Sequence, residues 1–240
     1  MTGEKIGVII TAGGSGSRMG GKYKPLEKLC GKQMLCYSLE TFENVDEVSF
    51  VVIAAKADRI KDIQQLCEEN EYKKVRKIVA GGADRQSSVQ NAFTCGLFDD
   101  SEVKYVAIHD AARPLFDEKM AKNVFSVAME KGNAVCAMRV RDTVKRTDEN
   151  SIVCDNVERD NLWLIQTPQV FDKQLYKRAL DNANKTGFCA TDDSSLVVKL
   201  GEKVYLCETA SYNIKITYEQ DMLLAQALLN YRKTGENICE

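Results

Sequence analysis

Ile6-Gly7-Val8-Ile9-Ile10-Thr11 runs straight into Ala12-Gly13-Gly14-Ser15-Gly16-Ser17-Arg18-Met19-Gly20-Gly21. An almost unbroken, β-branched apolar run is what a strand buried on both faces requires. Five glycines in the nine residues from Gly13 to Gly21 are costly to order for a plain turn. Glycine lets the backbone approach a ligand closely, and a strand ending in such a loop presents bare backbone N–H groups to an anion. The stretch reads as the first strand of an α/β sheet with a phosphate-binding loop at its carboxyl end.

Outward from it, short apolar runs alternate with amphipathic stretches. The pattern predicts strands over 6–11, 48–55, 77–80, 105–109, 134–140 and 203–208, and helices over 34–43, 57–70, 85–96, 118–131, 173–185 and 219–231. Thr217 is the expected N-cap of the last helix. This order implies an α/β, Rossmann-like, mostly parallel twisted sheet with helices on both faces. The charged segment 139–162 breaks the rhythm and reads as a projecting β-arm, so residues 1–240 are expected to form a single domain with an arm. Pro25, Pro114 and Pro168, the three prolines, are read as turns at the carboxyl edge of the sheet.

The formal charge is -2, so no general attraction to nucleic acid or an anionic membrane is expected. No segment approaches the ~20 apolar residues of a membrane span, and the N-terminal run is too short for a signal peptide. A cytoplasmic protein is expected. The nine cysteines contain no Cys-x-x-Cys pair and read as buried reduced thiols. With His109 the sole histidine, zinc sites built on histidine pairs are excluded.

Two common phosphate loops do not fit. The dinucleotide pattern G-x-G-x-x-G, begun at Gly14, meets Met19 where glycine is required. The pattern G-x-x-x-x-G-K-[ST] nearly fits from Gly16, but ends on Tyr23, whose phenol cannot take the small Mg²⁺-binding role of Ser or Thr. Instead Arg18, Lys22, Lys24 and Lys28 follow the glycines within eleven residues and can offset a triphosphate's charge locally. The string AGGSGSRMG followed by KPL resembles the signature of sugar- and polyol-phosphate nucleotidyltransferases.

Further strings sharpen the resemblance: Gly81-Gly82-Ala83-Asp84-Arg85-Gln86-Ser87-Ser88, His109-Asp110-Ala111-Ala112-Arg113-Pro114, Val140-Arg141-Asp142-Thr143, Gln166-Thr167-Pro168-Gln169, Ala190-Thr191-Asp192-Asp193 and Asn213-Ile214-Lys215. With the loop, they are similar to the 2-C-methyl-D-erythritol 4-phosphate cytidylyltransferases; the ribitol-5-phosphate cytidylyltransferases share the loop and the TPQ string. The resemblance implies CTP and a polyol phosphate as substrates, Mg²⁺ as cofactor, a place in isoprenoid precursor synthesis and a homodimer formed through the arm. It implies that Ala12, Gly13, Gly14, Gly16, Gly82, Ser88, Asp110 and Ala111 bind the nucleotide. It also implies that Arg18 and Lys24 stabilise charge at the phosphates, with Lys22 the alternative lysine. Arg113 and Thr143 are implied to hold the acceptor, together with Arg159 and Lys215, which count with Arg18 and Lys24 as catalytic.

Some of these residues have readings of their own. A carboxylate at the carboxyl end of a strand beside a triphosphate, as Asp110 would be, suits Mg²⁺ or caps a turn. Arg113 suits a forked contact to an acceptor or a structural ion pair. His109 is expected to pack or bond to backbone rather than act as a base. Lys215 reads as a cation within a short apolar strand. An NTP hydrolase without an acceptor and a non-catalytic nucleotide-binding module are the rival readings.

Overall fold

The computed structural model describes residues 4–14, 21–99 and 102–234. Strand β1 (Lys5–Ala12) leads, past a short hairpin of β2 (Lys28–Leu29) and β3 (Lys32–Gln33), to helix α1 (Met34–Glu43) and strand β4 (Val48–Ala55). Helix α2 (Ile60–Glu69) carries the chain to β5 (Val75–Ala80), α3 (Arg85–Phe93) to β6 (Val103–Asp110), and α4 (Glu118–Lys131) to β7 (Asn133–Arg139). A hairpin of β8 (Val144–Thr147) and β9 (Val153–Val157) follows. Then come β10 (Trp163–Asp172), α5 (Lys173–Thr186), α6 (Asp193–Lys199), β11 (Leu206–Glu208) and α7 (Glu219–Thr234).

Seven strands form one sheet in the order β11-β7-β10-β6-β1-β4-β5. All neighbours pair in parallel except β10, which runs antiparallel between β6 and β7. The alternation of side chains along each strand sorts the core into two layers. Ile6, Val8 and Ile10 of β1 pack with α1, α2 and α4. Ile9 packs on the other face, with α3, α5 and α6. Gly7 faces that second layer too, where a Cβ would lie 2.5 Å from a Phe98 ring atom and 2.8 Å from one of Phe50. Two rings occupy the space a side chain would take. From β1 the chain winds outward through β4 to β5, then returns to place β6 on β1's other side. The strand order therefore reverses between β1 and β6, and the connections that leave their paired carboxyl ends run in opposite directions, which leaves a crevice there.

The predicted strands and helices are present, with local corrections. The strand expected over 203–208 shrinks to Leu206–Glu208, and the helix expected over 85–96 ends at Phe93. Strand β10 and helix α6 went unpredicted. Pro168 lies inside β10 rather than in a turn, with a cis peptide bond, and pairing with β7 skips from Ile165 to Gln169 around it. Proline's missing N–H thus falls where the ladder is already interrupted. Thr217 is not the cap of α7: its hydroxyl donates to the Lys215 carbonyl at 3.2 Å. Asp221, in the first turn, reaches back instead, its carboxylate accepting from the backbone N–H groups of Thr217 at 2.7 Å and Tyr218 at 2.8 Å, the two residues before the helix. The residues around Lys215 form irregular backbone, not a strand.

The arm is the β8–β9 hairpin, and most of its residues are exposed, including Ile152 and Val153 at 63% and 58%. Of the described cysteines, Cys36, Cys67, Cys136 and Cys207 are buried as expected, whereas Cys154 and Cys189 are exposed; all are free thiols. Among the described residues no helix is long and apolar enough to cross a membrane.

His109, next to last in β6, is fully buried between the rings of Phe42 and Phe116. Burial pushes its pKa down to about 3 despite the Asp110 carboxylate beside it, so the folded protein holds a neutral ring. The unfolded chain binds that proton at about pH 6.5. Stability from this group is therefore complete above that pH and is lost as pH falls toward the folded value.

Two outcomes are expected. Gly7→Ala should cost about 1–3 kcal/mol in urea denaturation, because the phenyl rings must shift; an unchanged midpoint would mean the rings yield freely. Between pH 7 and 5, wild-type stability should fall by up to about 1.4 kcal/mol per unit below pH 6.5. His109→Gln should flatten that slope, and an equal slope in the variant would assign the acid sensitivity elsewhere.

Candidate active site

The crevice at the strand reversal opens into a cleft of about 420 Å³. Its walls come from the end of β1 (Thr11 to Gly14), Lys24 and Pro25, the loop into α3 (Gly82 to Arg85) with Ser88, the end of β6 (Asp110 to Ala112), and Lys215. Segments far apart in the chain meet here because parallel strands put all their carboxyl ends on one edge.

Asp110 is the centre of the cleft's electrostatics. Its side chain is 8% exposed. One carboxylate oxygen accepts from Thr11 Oγ1 at 3.0 Å and Arg85 Nε at 3.2 Å. The other accepts from Lys215 Nζ at 2.6 Å. Burial alone would raise its pKa, but the Arg85 and Lys215 cations outweigh burial and hold the carboxyl well below the usual carboxylate range. Its backbone N–H donates to Thr167 Oγ1 at 3.0 Å, and that hydroxyl lies within hydrogen-bond distance, 3.2 Å, of His109 Nδ1. His109 thus holds Thr167 from the interior, in agreement with its expected structural role.

Arg85 spans two carboxylates, adding a 2.6 Å contact from Nη1 to Asp193. Burial works against its charge, and Asp193 and Asp110 more than restore it. Reading the sequence took Gly82 and Ser88 from this segment and passed over Arg85. The available signal was its position as first residue of a helix that opens at a glycine loop. Gly82 and Ser88 hold one another: the Gly82 N–H donates to Ser88 Oγ at 3.0 Å, and that hydroxyl donates to the Asp84 carbonyl at 2.7 Å. A Cβ on Gly82 would lie 2.3 Å from Ser87 Oγ, so only glycine lets the loop fold back onto the helix. Asp84 caps α3, accepting from the Ser87 N–H at 2.7 Å.

Lys24 sits in a single 3-10 turn opened with Pro25, and its Nζ reaches the carbonyls of Ile216 at 3.2 Å and Thr217 at 3.4 Å. It therefore stands beside Lys215. Lys22 is exposed and Tyr23 is buried in the core, which favours Lys24 over Lys22 as the lysine of the cleft. The loop bearing Lys215 is pinned at several points. Asn213 Nδ2 donates to Gln166 Oε1 at 2.9 Å and to the Thr167 carbonyl at 3.1 Å. The Ile216 N–H donates to the Ala112 carbonyl at 2.8 Å.

The remaining expected residues divide as follows. Ala12, Gly13, Gly14, Gly82, Ser88, Asp110, Ala111, Lys24 and Lys215 are brought together. Arg18 and Gly16 lie outside the described residues. Arg113 does not line the cleft, contrary to expectation. It is 8% exposed and donates to the carbonyls of Asn213 at 2.8 Å and Ile165 at 3.5 Å, clasping the Lys215 loop to β10. Thr143 and Arg159 are exposed in and beside the arm, where Arg159 Nη1 bonds the Arg141 carbonyl at 2.8 Å; neither lines the cleft of its own chain.

Among the described residues no group of three or more His, Cys, Asp or Glu side chains converges as a metal site. The carboxylates on the cleft wall are Asp84 and Asp110. Asp84 is committed to its helix cap, whereas Asp110 fits an Mg²⁺ that takes one protein carboxylate and completes its shell with phosphate oxygens and water. The partner on its outer oxygen, Lys215, is 44% exposed and free to turn toward an anion.

Comparison with known proteins agrees with this geometry. The family described as 2-C-methyl-D-erythritol 4-phosphate cytidylyltransferase matches residues 6–231. The enzyme of that name from Halalkalibacterium halodurans is 39% identical, covering 92% of this chain and 96% of its own. Its counterpart from Lysinibacillus sphaericus is 37% identical, covering 94% and 96%. Among solved structures, the 4-diphosphocytidyl-2C-methyl-D-erythritol synthase of Anaerococcus prevotii superposes with a TM-score of 0.82 at 29% identity, over 95% of this chain and 99% of that one. The Thermus thermophilus cytidylyltransferase gives a TM-score of 0.77 at 29% identity, covering 94% and 99%. A strand-reversal cleft with a glycine loop and converging lysines, and near-complete matches to these sequences and folds, lead to one assignment: this chain belongs to the 2-C-methyl-D-erythritol 4-phosphate cytidylyltransferase family.

Proposed function

We propose that the protein transfers the cytidylyl group of CTP to 2-C-methyl-D-erythritol 4-phosphate, releasing pyrophosphate and forming CDP-methylerythritol for isoprenoid precursor synthesis in the cytoplasm. The observation that carries this reading is the meeting of Lys24 and Lys215, nearly the length of the chain apart, at one cleft beside the glycine loop. A chain of formal charge -2 concentrates cations where two polyanions have to be brought together.

An acceptor phosphate oxygen attacks the α-phosphorus of CTP, and the bond from that phosphorus to the α–β bridging oxygen breaks. The nucleophile is already ionised at neutral pH and needs no base, which suits a site whose one histidine is buried and neutral. Catalysis is then positioning and charge stabilisation. The backbone of Ala12 to Gly14 faces the phosphates, with Gly16 and Arg18 following in the same loop. Gly82, Ser88 and Ala111 shape the nucleotide's seat. Lys24, with Arg18, offsets charge at the α- and β-phosphates, and Lys215 turns from Asp110 to the acceptor phosphate. Mg²⁺, held through Asp110, would add neutralising charge on the triphosphate.

The arm supplies the missing acceptor contacts in a homodimer, with Thr143 and Arg159 of one protomer completing the cleft of the other. A two-stranded hairpin with no core of its own is marginal in water, and exposed Ile152 and Val153 suit burial against a second protomer. Arg113, which donates to the Asn213 and Ile165 carbonyls, supports the loop that presents Lys215 in this reading.

Pyrophosphate release from CTP and Mg²⁺ should occur with methylerythritol 4-phosphate and not with ribitol 5-phosphate. Release with ribitol phosphate alone would move the protein to polyol-phosphate activation, and phosphate release without any acceptor would make it a hydrolase. Lys24→Ala should lower kcat by about 100-fold with little change in melting temperature; full turnover would remove Lys24 from the mechanism. Dimers mixed from Lys24→Ala and Arg159→Ala protomers should regain activity, since one of their two clefts would be intact. Absence of recovery would count against a shared site.

A further inference from the structure

Behind Arg85, away from the cleft, lies a polar chain in an otherwise apolar layer. Tyr176 of α5 is fully buried, stacked on Phe171 with centroids 5.4 Å apart and edge-on to Phe93 at 5.3 Å. These contacts fix the ring and aim its hydroxyl. That hydroxyl donates to one oxygen of Asp193 at 2.6 Å, and Asp193 is 2% exposed. The other oxygen takes Arg85 Nη1 at 2.6 Å, and Arg85 Nε takes Asp110 at 3.2 Å. A guanidinium is planar and rigid, so fixing Nη1 sets the direction of the Nε–H bond.

We infer that Tyr176 and Asp193 are positioning residues for the transfer reaction, setting the Asp110 carboxylate through Arg85. The inference rests on the cytidylyl-transfer reading for the step it serves. Asp193 is buried while the Arg85 side chain keeps 27% exposure, and withdrawing a carboxylate from water to pair it in this way adds little stability over apolar packing. Their arrangement does define direction. Asp193 is anchored by the Tyr176 hydroxyl, Arg85 by Asp193, and Asp110 by Arg85 opposite the movable Lys215. When Lys215 turns to a phosphate, the hydrogen bonds from Arg85 and Thr11 still hold the Asp110 carboxylate in place. A shift of about 1 Å at a reacting centre costs up to about 100-fold in rate, so a loosened Arg85 is felt in kcat. The glycine loop, Lys24 and Lys215 keep their places, so the loss is felt more in kcat than in CTP binding.

Tyr176→Phe keeps the ring and removes the hydroxyl. It should lower kcat about tenfold while the CTP KM changes less than about threefold, and it should speed exchange of the Arg85 Nε–H proton in NMR spectra. Leu180→Ala, one turn along α5 at a site 3% exposed, provides the structural control. It should lower the melting temperature at least as much and leave kcat and Arg85 exchange as in wild type. In an Arg85→Lys background, where no bridge between the carboxylates is available, Tyr176→Phe should change kcat less than about twofold. A folded Tyr176→Phe with wild-type kcat, or an equal loss in both backgrounds, would overturn the inference; so would an equal kcat loss in Leu180→Ala. If Tyr176→Phe does not fold, Asp193→Asn carries the same comparison. If the wild type transfers no cytidylyl group, the functional reading fails by itself. Arg85 exchange then decides the relay: faster in Tyr176→Phe supports it, unchanged overturns it.

Discussion

A single carboxylate, withdrawn almost wholly from water, sets the terms for the rest of this molecule. Asp110 can stay ionised where it is only because Arg85, Lys215 and Thr11 surround it. An unpaired buried charge would cost several kcal/mol. Meeting that requirement ties together the first strand, the helix after β5, the end of β6 and a loop near residue 215. The same side chains that satisfy Asp110 line the cleft, so the condition for folding this corner also assembles the binding site.

The cations of the cleft are pre-paired rather than bare. Lys215 rests on Asp110 and Lys24 on two backbone carbonyls. Lysine suits this place because its flexible stem lets one ammonium exchange a protein oxygen for a phosphate oxygen with little rearrangement. Arg85, locked between two carboxylates, does the opposite and keeps its geometry. Mobile and fixed cations thus lie side by side, which suits a reaction in which charge is gathered and then released with the product.

The antiparallel strand β10 explains why the Lys215 loop is where it is. Its interruption around Pro168 leaves Gln166 and Thr167 turned toward Asn213, and Arg113 closes the arrangement from the end of β6. Strings that look unrelated in the chain are mutual hydrogen-bonding partners. This accounts for Arg113's interior position: its donors hold the loop that presents Lys215, and its Nη1 lies 2.8 Å from the Asn213 carbonyl.

Periodicity and composition determined much by themselves. The apolar run at Ile6, the alternation of strand and helix patterns, the glycine loop and the charged arm each depend on local steric and solvation rules, which a short window contains. Lys215 could be singled out because a lysine in an apolar stretch is unusual, Asp110 because a carboxylate at a strand end beside a phosphate loop suits Mg²⁺, and Lys24 through the cations that follow the glycines and the family resemblance. What the tertiary structure decided is everything that depends on which segments meet. Pro168 in a strand, Asp221 reaching back to the backbone ahead of α7 in place of a Thr217 cap, and the interior place of Arg113 follow from pairings remote in sequence or from competition between neighbouring groups. Arg85 looked like an ordinary first-turn arginine until Asp110 and Asp193 were brought to it, 25 and 108 residues away. Electrostatic energy depends on distance and burial, and neither is a property of any residue until the chain has folded.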